Sequence, residues 1–280
     1  MRHLLLVLAV IVATDAAAET PYRTALARAR EAYNAERYDA AINGARMALA
    51  DAAIADAARL IIGRALLERY RATGHEGDLA DGIDALRALV PSRLEAEDRA
   101  EWLVGVGQWL FYTERFGAAA ELFDQVTSSA RLGGEDAADR ALDWWASALD
   151  RQAQRTPAAR ERVYRRMLER MERELARDPA SVAANYWIVA AARGLGDVDR
   201  AWESAIAGWL RAELSPNLTS GLRADLDRLV LTAIIPDRAR GAAPGGGDQR
   251  RVADTMVTEW ERFKQRWGDL VLPDTRPGTR

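Results

Sequence analysis

His75 is the only histidine beyond residue 3, and the chain has no cysteine. Protein zinc sites draw on thiolate and imidazole ligands, and the common serine and cysteine nucleophiles need a histidine base. One imidazole and no thiol build neither. The sequence therefore assigns no catalytic residue, no metal ligand and no cofactor. His75 stands in Thr73-Gly74-His75-Glu76-Gly77, a turn composition that leaves its ring in solvent. Lys264 is the only lysine, which removes nearly every candidate for a Schiff base. No glycine-rich loop precedes a lysine, so a phosphate cradle is missing as well.

Aromatic rings are what remains in quantity. Nine tryptophans, at positions 102, 109, 144, 145, 187, 202, 209, 260 and 267, suggest a platform on which sugar rings stack. Each falls in a helical segment, mostly beside core positions, so burial between helices accounts for them better. Trp144-Trp145 is the exception. Neighbours on a helix point about 100° apart, both cannot face one groove, and one of the pair is expected at the surface.

The elements that must position these side chains are helices. Every long segment after Thr20 repeats its apolar residues at intervals of three and four, and no alternating β-branched run suggests a sheet. At 280 residues, 49% hydrophobic and 29% charged, the chain has the composition of a globular protein able to bury a sizeable core. A net charge of −3 gives no electrostatic drive toward nucleic acid or anionic lipid. The N-terminus reads as an export signal: Arg2 and His3, the apolar run Leu4 to Ala13, and the small-residue site Ala16-Ala17-Ala18. Ten apolar residues are too few to span a bilayer. Cleavage after Ala18 is expected to leave a periplasmic or secreted bacterial protein with no stable membrane anchor. Absence of cysteine suits an oxidising compartment. Asn217-Leu218-Thr219 fits a glycosylation sequon and is incidental in a bacterial chain.

Five helical hairpins are expected. The first joins Ala29 and Ala32 to Tyr38, Ala41, Ala45 and Ala48 through Asn34-Ala35-Glu36-Arg37. The second contains Gly63, a longer turn from Arg71 to Asp78, and Gly82. The third runs from Glu101 to Val126 with Leu103, Val106, Gly107, Leu110, Phe116, Ala119 and Phe123 at hairpin spacing. The fourth pairs Leu142, Trp145, Ala146 and Leu149 with Val163, Met167, Met171 and Leu175 across a turn at Gln154 to Pro157. The fifth runs from Ala180 through Tyr186, Trp187 and Val189, turns at Gly194-Leu195-Gly196-Asp197 and returns through Ala201, Ala205 and Trp209. A further helix from Leu222 is expected to stop at Pro236. Residues 236–248, with Gly241-Ala242-Ala243-Pro244-Gly245-Gly246-Gly247, read as a flexible linker. Residues 249–270 then read as a capping helix with Val252, Met256, Trp260, Phe263 and Trp267 on one face, and 271–280 as an irregular tail.

The third hairpin resembles the tetratricopeptide repeat, whose small residues, here Gly107 and Ala119, let two antiparallel helices approach closely. Gly63 stands one such period, about 34 residues, after Ala29. The resemblance extends in organisation over residues 19–235. It implies an all-α, right-handed superhelix whose inner surface, lined by the first helix of each hairpin, binds a peptide or a helix. The inward positions it implies are Arg30, Asn34, Arg64, Glu68, Gln108, Tyr112 and Ser147. The clamp with which some members hold a terminal carboxylate is echoed only by Arg30, Asn34 and Arg64. Glu203-Ser204 is similar to the glutamate–serine pair of lytic transglycosylases, but the accompanying glycine-leucine-methionine-glutamine motif is absent. The expectation is a non-enzymatic adaptor for a protein or peptide partner, and no nucleic acid. The alternative is a small-ligand receptor or transport accessory with a pocket lined by Phe111, Tyr112 and tryptophans.

Overall fold

The computed structural model describes residues 21–127, 135–214, 221–244 and 248–267. The proposed leader, the Asn217 sequon, glycines 245–247 and the tail lie outside the described residues. Among the described residues every regular element is helical. The chain divides into two compact units, one up to Asp98 and one from Arg99.

In the first unit, α1 (Pro21–Asn34), α2 (Tyr38–Ala48), α3 (Ala55–Thr73) and α4 (Glu76–Arg87) pack in chain order. Alanine makes this closeness possible. Ala25, Ala29 and Ala32 of α1 and Ala41, Ala45 and Ala48 of α2 are all buried, and alanine is also the best helix former. In the second pair, a Cβ on Gly63 would lie 2.7 Å from Leu86 Cγ and 3.0 Å from the Gly82 carbonyl oxygen. The long turn expected from Arg71 to Asp78 is shorter in the structure. The α3 helix continues to Thr73, Gly74 closes it at φ +70°, and α4 starts at Glu76. Asp78 is helical and buried because its carboxylate binds Arg69 through two bonds of 2.8 and 2.6 Å.

Most of α5 (Ala96–Tyr112) belongs to the second unit, followed by α6 (Phe116–Thr127), α7 (Glu135–Arg155), α8 (Arg160–Arg177), α9 (Val182–Gly194) and α10 (Val198–Arg211). From α6 onward each helix packs on the next, while α9 also touches α7 on one side and the later helix α11 (Leu222–Leu229) on the other. A Cβ on Gly107 would lie 2.7 Å from Phe123 Cε1, so this glycine is what lets α5 meet α6. Ala119 is fully buried in the same unit.

Three hairpin turns share one backbone geometry. Glu36, Glu114 and Gly196 have φ of 57°, 61° and 82°. Each donates its N–H three residues back, to Tyr33, Phe111 and Arg193. The following residues, Arg37, Arg115 and Asp197, donate five residues back, to Ala32, Leu110 and Ala192. This is the Schellman ending of a helix. It recurs at the first, third and fifth turns expected from the sequence.

Two expectations need correction. Neither tryptophan of the Trp144-Trp145 pair is exposed. The α7 helix has neighbours on several sides, so Trp145 is buried at 1% exposure while Trp144, half-buried, stacks on Phe123 with centroids 5.8 Å apart. Nor does Pro236 end its helix. A π-helical turn, Val230–Ile234, follows α11 and leads into α12 (Ile235–Ala242), which includes Gly241 and Ala242. Proline lacks an N–H and its ring crowds the carbonyl one turn back; a widened turn at that point accommodates both and lets the chain continue helical. Finally α13 (Gln249–Trp267) packs against α12.

Candidate partner-binding site

The residues implied by the repeat resemblance fall into different environments. In the first unit, Arg30 of α1 donates from Nη2 to both carboxylate oxygens of Asp98, at 2.9 and 2.7 Å. Asn34 is exposed at the end of the same helix. On α3, Arg64 is buried, with Nη2 donating to the Tyr33 hydroxyl at 2.8 Å, and Glu68 is buried and accepts from Arg71 Nε at 2.8 Å. The Tyr33–Arg64 bond thus ties the first helices of two successive hairpins together. Beside it an open depression of about 360 Å³ is lined by Glu36, Arg37, Tyr38, Asp39, Ala40 and Arg69. Arg69 matches its charge against Asp39 at 2.5 Å and Asp78 at 2.6 Å. Its hydrogen bonds hold the Asp78 carboxyl below the usual range. Burial, then the charge of Glu68, pushes the Tyr38 hydroxyl up.

In the second unit Gln108 is fully buried and offers no surface. Tyr112 is half-buried, its ring 5.9 Å from both Phe111 and Trp144. Ser147, half-buried, lies at the middle of α7. Asp143 and Asp150 share its side of the helix, one turn before and one turn after.

Neutral donors reach both carboxylates. Trp187 Nε1 of α9 donates to Asp143 Oδ1 at 2.7 Å. Asp150 accepts from the Tyr164 hydroxyl at 2.7 Å and from Gln154 Nε2 at 2.6 Å. Tyr186, on α9 between them and α11, is half-buried. Burial, followed by the charges of Asp225, Asp150 and Asp143, holds its hydroxyl above the ordinary tyrosine value. Burial and the bond to Asp150 push the Tyr164 hydroxyl up in the same way. Aromatic side chains and carboxylates thus alternate along α7, α9 and α11.

Of the expected set, only Ser147 belongs to this face. Asp143, Asp150 and Asp225 were not singled out from the sequence, and Tyr186 was placed in the fifth hairpin but not in a binding site. The available signal was spacing: carboxylates stand four residues before and three after Ser147, on the helix that leads its hairpin. Among the described residues no group of three or more acidic or histidine side chains could hold a metal ion, and no helix is long and apolar enough to cross a membrane. No family model, no curated protein and no solved structure matches the chain.

Proposed function

We propose that this protein is a non-enzymatic, tetratricopeptide-like adaptor, exported to the periplasm, that binds a protein or peptide partner along the first helices of its hairpins. Five hairpins wound in a right-handed sense belong to the same proposal. The observation that carries it is the face on α7, α9 and α11, where Asp143, Ser147, Asp150, Tyr186 and Asp225 lie on helices that pack side by side. A partly exposed tyrosine, Tyr186, beside carboxylates on a helical support suits an extended ligand, since a tyrosine gives large contact area at little entropic cost. The rings on which a small-ligand pocket would rest, Phe111, Tyr112 and Trp144, pack edge-on against one another, which favours the adaptor over the receptor.

The test is site-specific photo-crosslinking in the native host. A photoreactive residue at Ser147 is expected to capture a discrete partner, and one at Glu203, exposed on α10, is not. Equal capture at both positions, or at neither, would set the proposal aside.

A further inference from the structure

Among the described residues, α13 is held unlike any other long helix. Of the 19 residues of α13 only Trp260 is buried, whereas α8, with 18 residues, buries five and α9, with 13, buries eight. The Trp260 ring lies 5.7 Å from Trp202 and 5.5 Å from Trp209, both on α10. Its indole Nε1 donates to Asp227 Oδ1 of α11 at 2.7 Å. Lys264, one turn later, donates to the same oxygen at 2.7 Å, and its ammonium lies 5.9 Å from the centroid of the Trp209 ring. Arg238 and Arg223 cover the outer faces of Trp202 and Trp209 at 5.0 and 5.1 Å. The seat is therefore built from α10, α11 and α12: two indole walls on α10, the Asp227 carboxylate and the Arg223 guanidinium on α11, and the Arg238 guanidinium on α12. What it reads on the incoming helix is an aromatic residue followed four positions later by a cation.

We propose that this seat is a helix-receiving site which α13 occupies in cis, and that a partner presenting an amphipathic helix with an aromatic residue and a lysine or arginine four residues later displaces α13 from it. The site is separate from the α7, α9 and α11 face and stands whether or not that face binds a partner. With Trp260 its one fully buried side chain, and Ala253, Met256, Val257 and Phe263 half-buried against the core, α13 can leave the seat without unpacking a hairpin. The six residues between α12 and α13 keep its effective concentration at the seat high, on the order of millimolar for a short connection. Competition from α13 therefore lowers the apparent affinity of any partner by the fraction of time the seat is free. The arrangement is an autoinhibitory strap.

The probe is a synthetic peptide of residues 249–267 carrying a fluorophore, titrated by anisotropy against the full chain. The Trp260→Ala chain, with its own anchor removed, is expected to bind the peptide at least tenfold more tightly than wild type. Adding Asp227→Ala to that chain is expected to cost at least tenfold, and a peptide carrying Trp260→Ala is expected not to bind. Lys264→Glu provides a second opening that keeps every core side chain, and it too is expected to bind more tightly than wild type. At saturating peptide, amides of the chain's own α13 should exchange faster in wild type. A folded Trp260→Ala or Lys264→Glu chain that ignores the peptide makes α13 a fixed part of the fold and overturns the proposal. Equal binding to wild type and variants places the peptide elsewhere and overturns it as well.

Discussion

Gly107 and Asp139 set the tolerance of the second unit at single positions. An alanine at 107 would put its Cβ 2.7 Å from Phe123 Cε1, and Phe123 is fully buried. Overpacking of this kind costs about 1–3 kcal/mol. Gly107→Ala is expected to lower the denaturant midpoint accordingly, and Phe123→Leu in the same chain to recover part of the loss. Independent, additive effects would mean that the two residues do not meet. Asp139 raises a different issue. Its carboxylate accepts from Ser181 Oγ at 2.5 Å and from the Ala183 N–H at 3.0 Å, holding the start of α9, yet burial lifts its pKa above the ordinary 3.8. A carboxyl with a raised folded-state pKa binds its proton more readily folded than unfolded, so its contribution to stability grows as pH falls from the folded value to about 3.8 and is lost as pH rises. Asp139→Asn removes that dependence. The difference in unfolding free energy between wild type and variant is expected to shift toward wild type between pH 7 and pH 4. A constant difference across that range would show that burial does not perturb this group.

At the level of elements, the three Schellman turns offer a matched comparison, because one geometry is filled by glycine at 196 and by glutamate at 36 and 114. A left-handed L-residue costs about 1–2 kcal/mol, partly offset by the extra freedom glycine has when unfolded. The ion pair of Glu114 with Arg155 is exposed on both sides and worth little. Glu114→Gly is thus expected to stabilise by up to about 1 kcal/mol, raising Tm by about 2–4 °C, and Gly196→Ala to lower it by a similar amount. Calorimetry that finds no change in either direction would refute the shared turn geometry. These turns were legible in the sequence because helix length, turn residues and small residues all converge on them. Pro236 was misleading for the opposite reason: the rule that proline ends a helix treats one residue at a time, whereas the π turn ahead of it is a cooperative adjustment of five. The face around Ser147 was only partly legible. A carboxylate on a helix surface looks the same in sequence whether it faces solvent or the next hairpin, and the packing of α9 beside α7 decides which. The apolar stripe of α13 announced a helix that packs on the fold, yet only Trp260 of it is buried and Trp267 is exposed, because the seat depends on Trp202, Trp209 and Asp227 meeting from two helices.

Over the whole molecule, each compact unit closes an apolar core of its own. One core runs from Leu26 to Leu66 and the other from Val104 to Trp260. In stacked helical arrays stability is approximately a sum of local terms and nearest-neighbour terms, so damage in one place spreads to neighbours and fades with distance. The tryptophans happen to make this measurable. All nine stand at position 102 or later, within the second unit, so indole fluorescence reports that unit alone, while circular dichroism reports helices in both. Leu66→Ala, at a residue only 2% exposed in the first core, should cost about 2–5 kcal/mol there. In a urea titration followed by both signals, the variant is expected to lose part of its helical signal at lower urea while the fluorescence midpoint stays where it is in wild type. Coincident transitions that shift together would mean that the chain unfolds as a single cooperative body. The two cores would then answer to one another, and a partner bound on the α7, α9 and α11 face would stabilise residues before Asp98 as strongly as those after it.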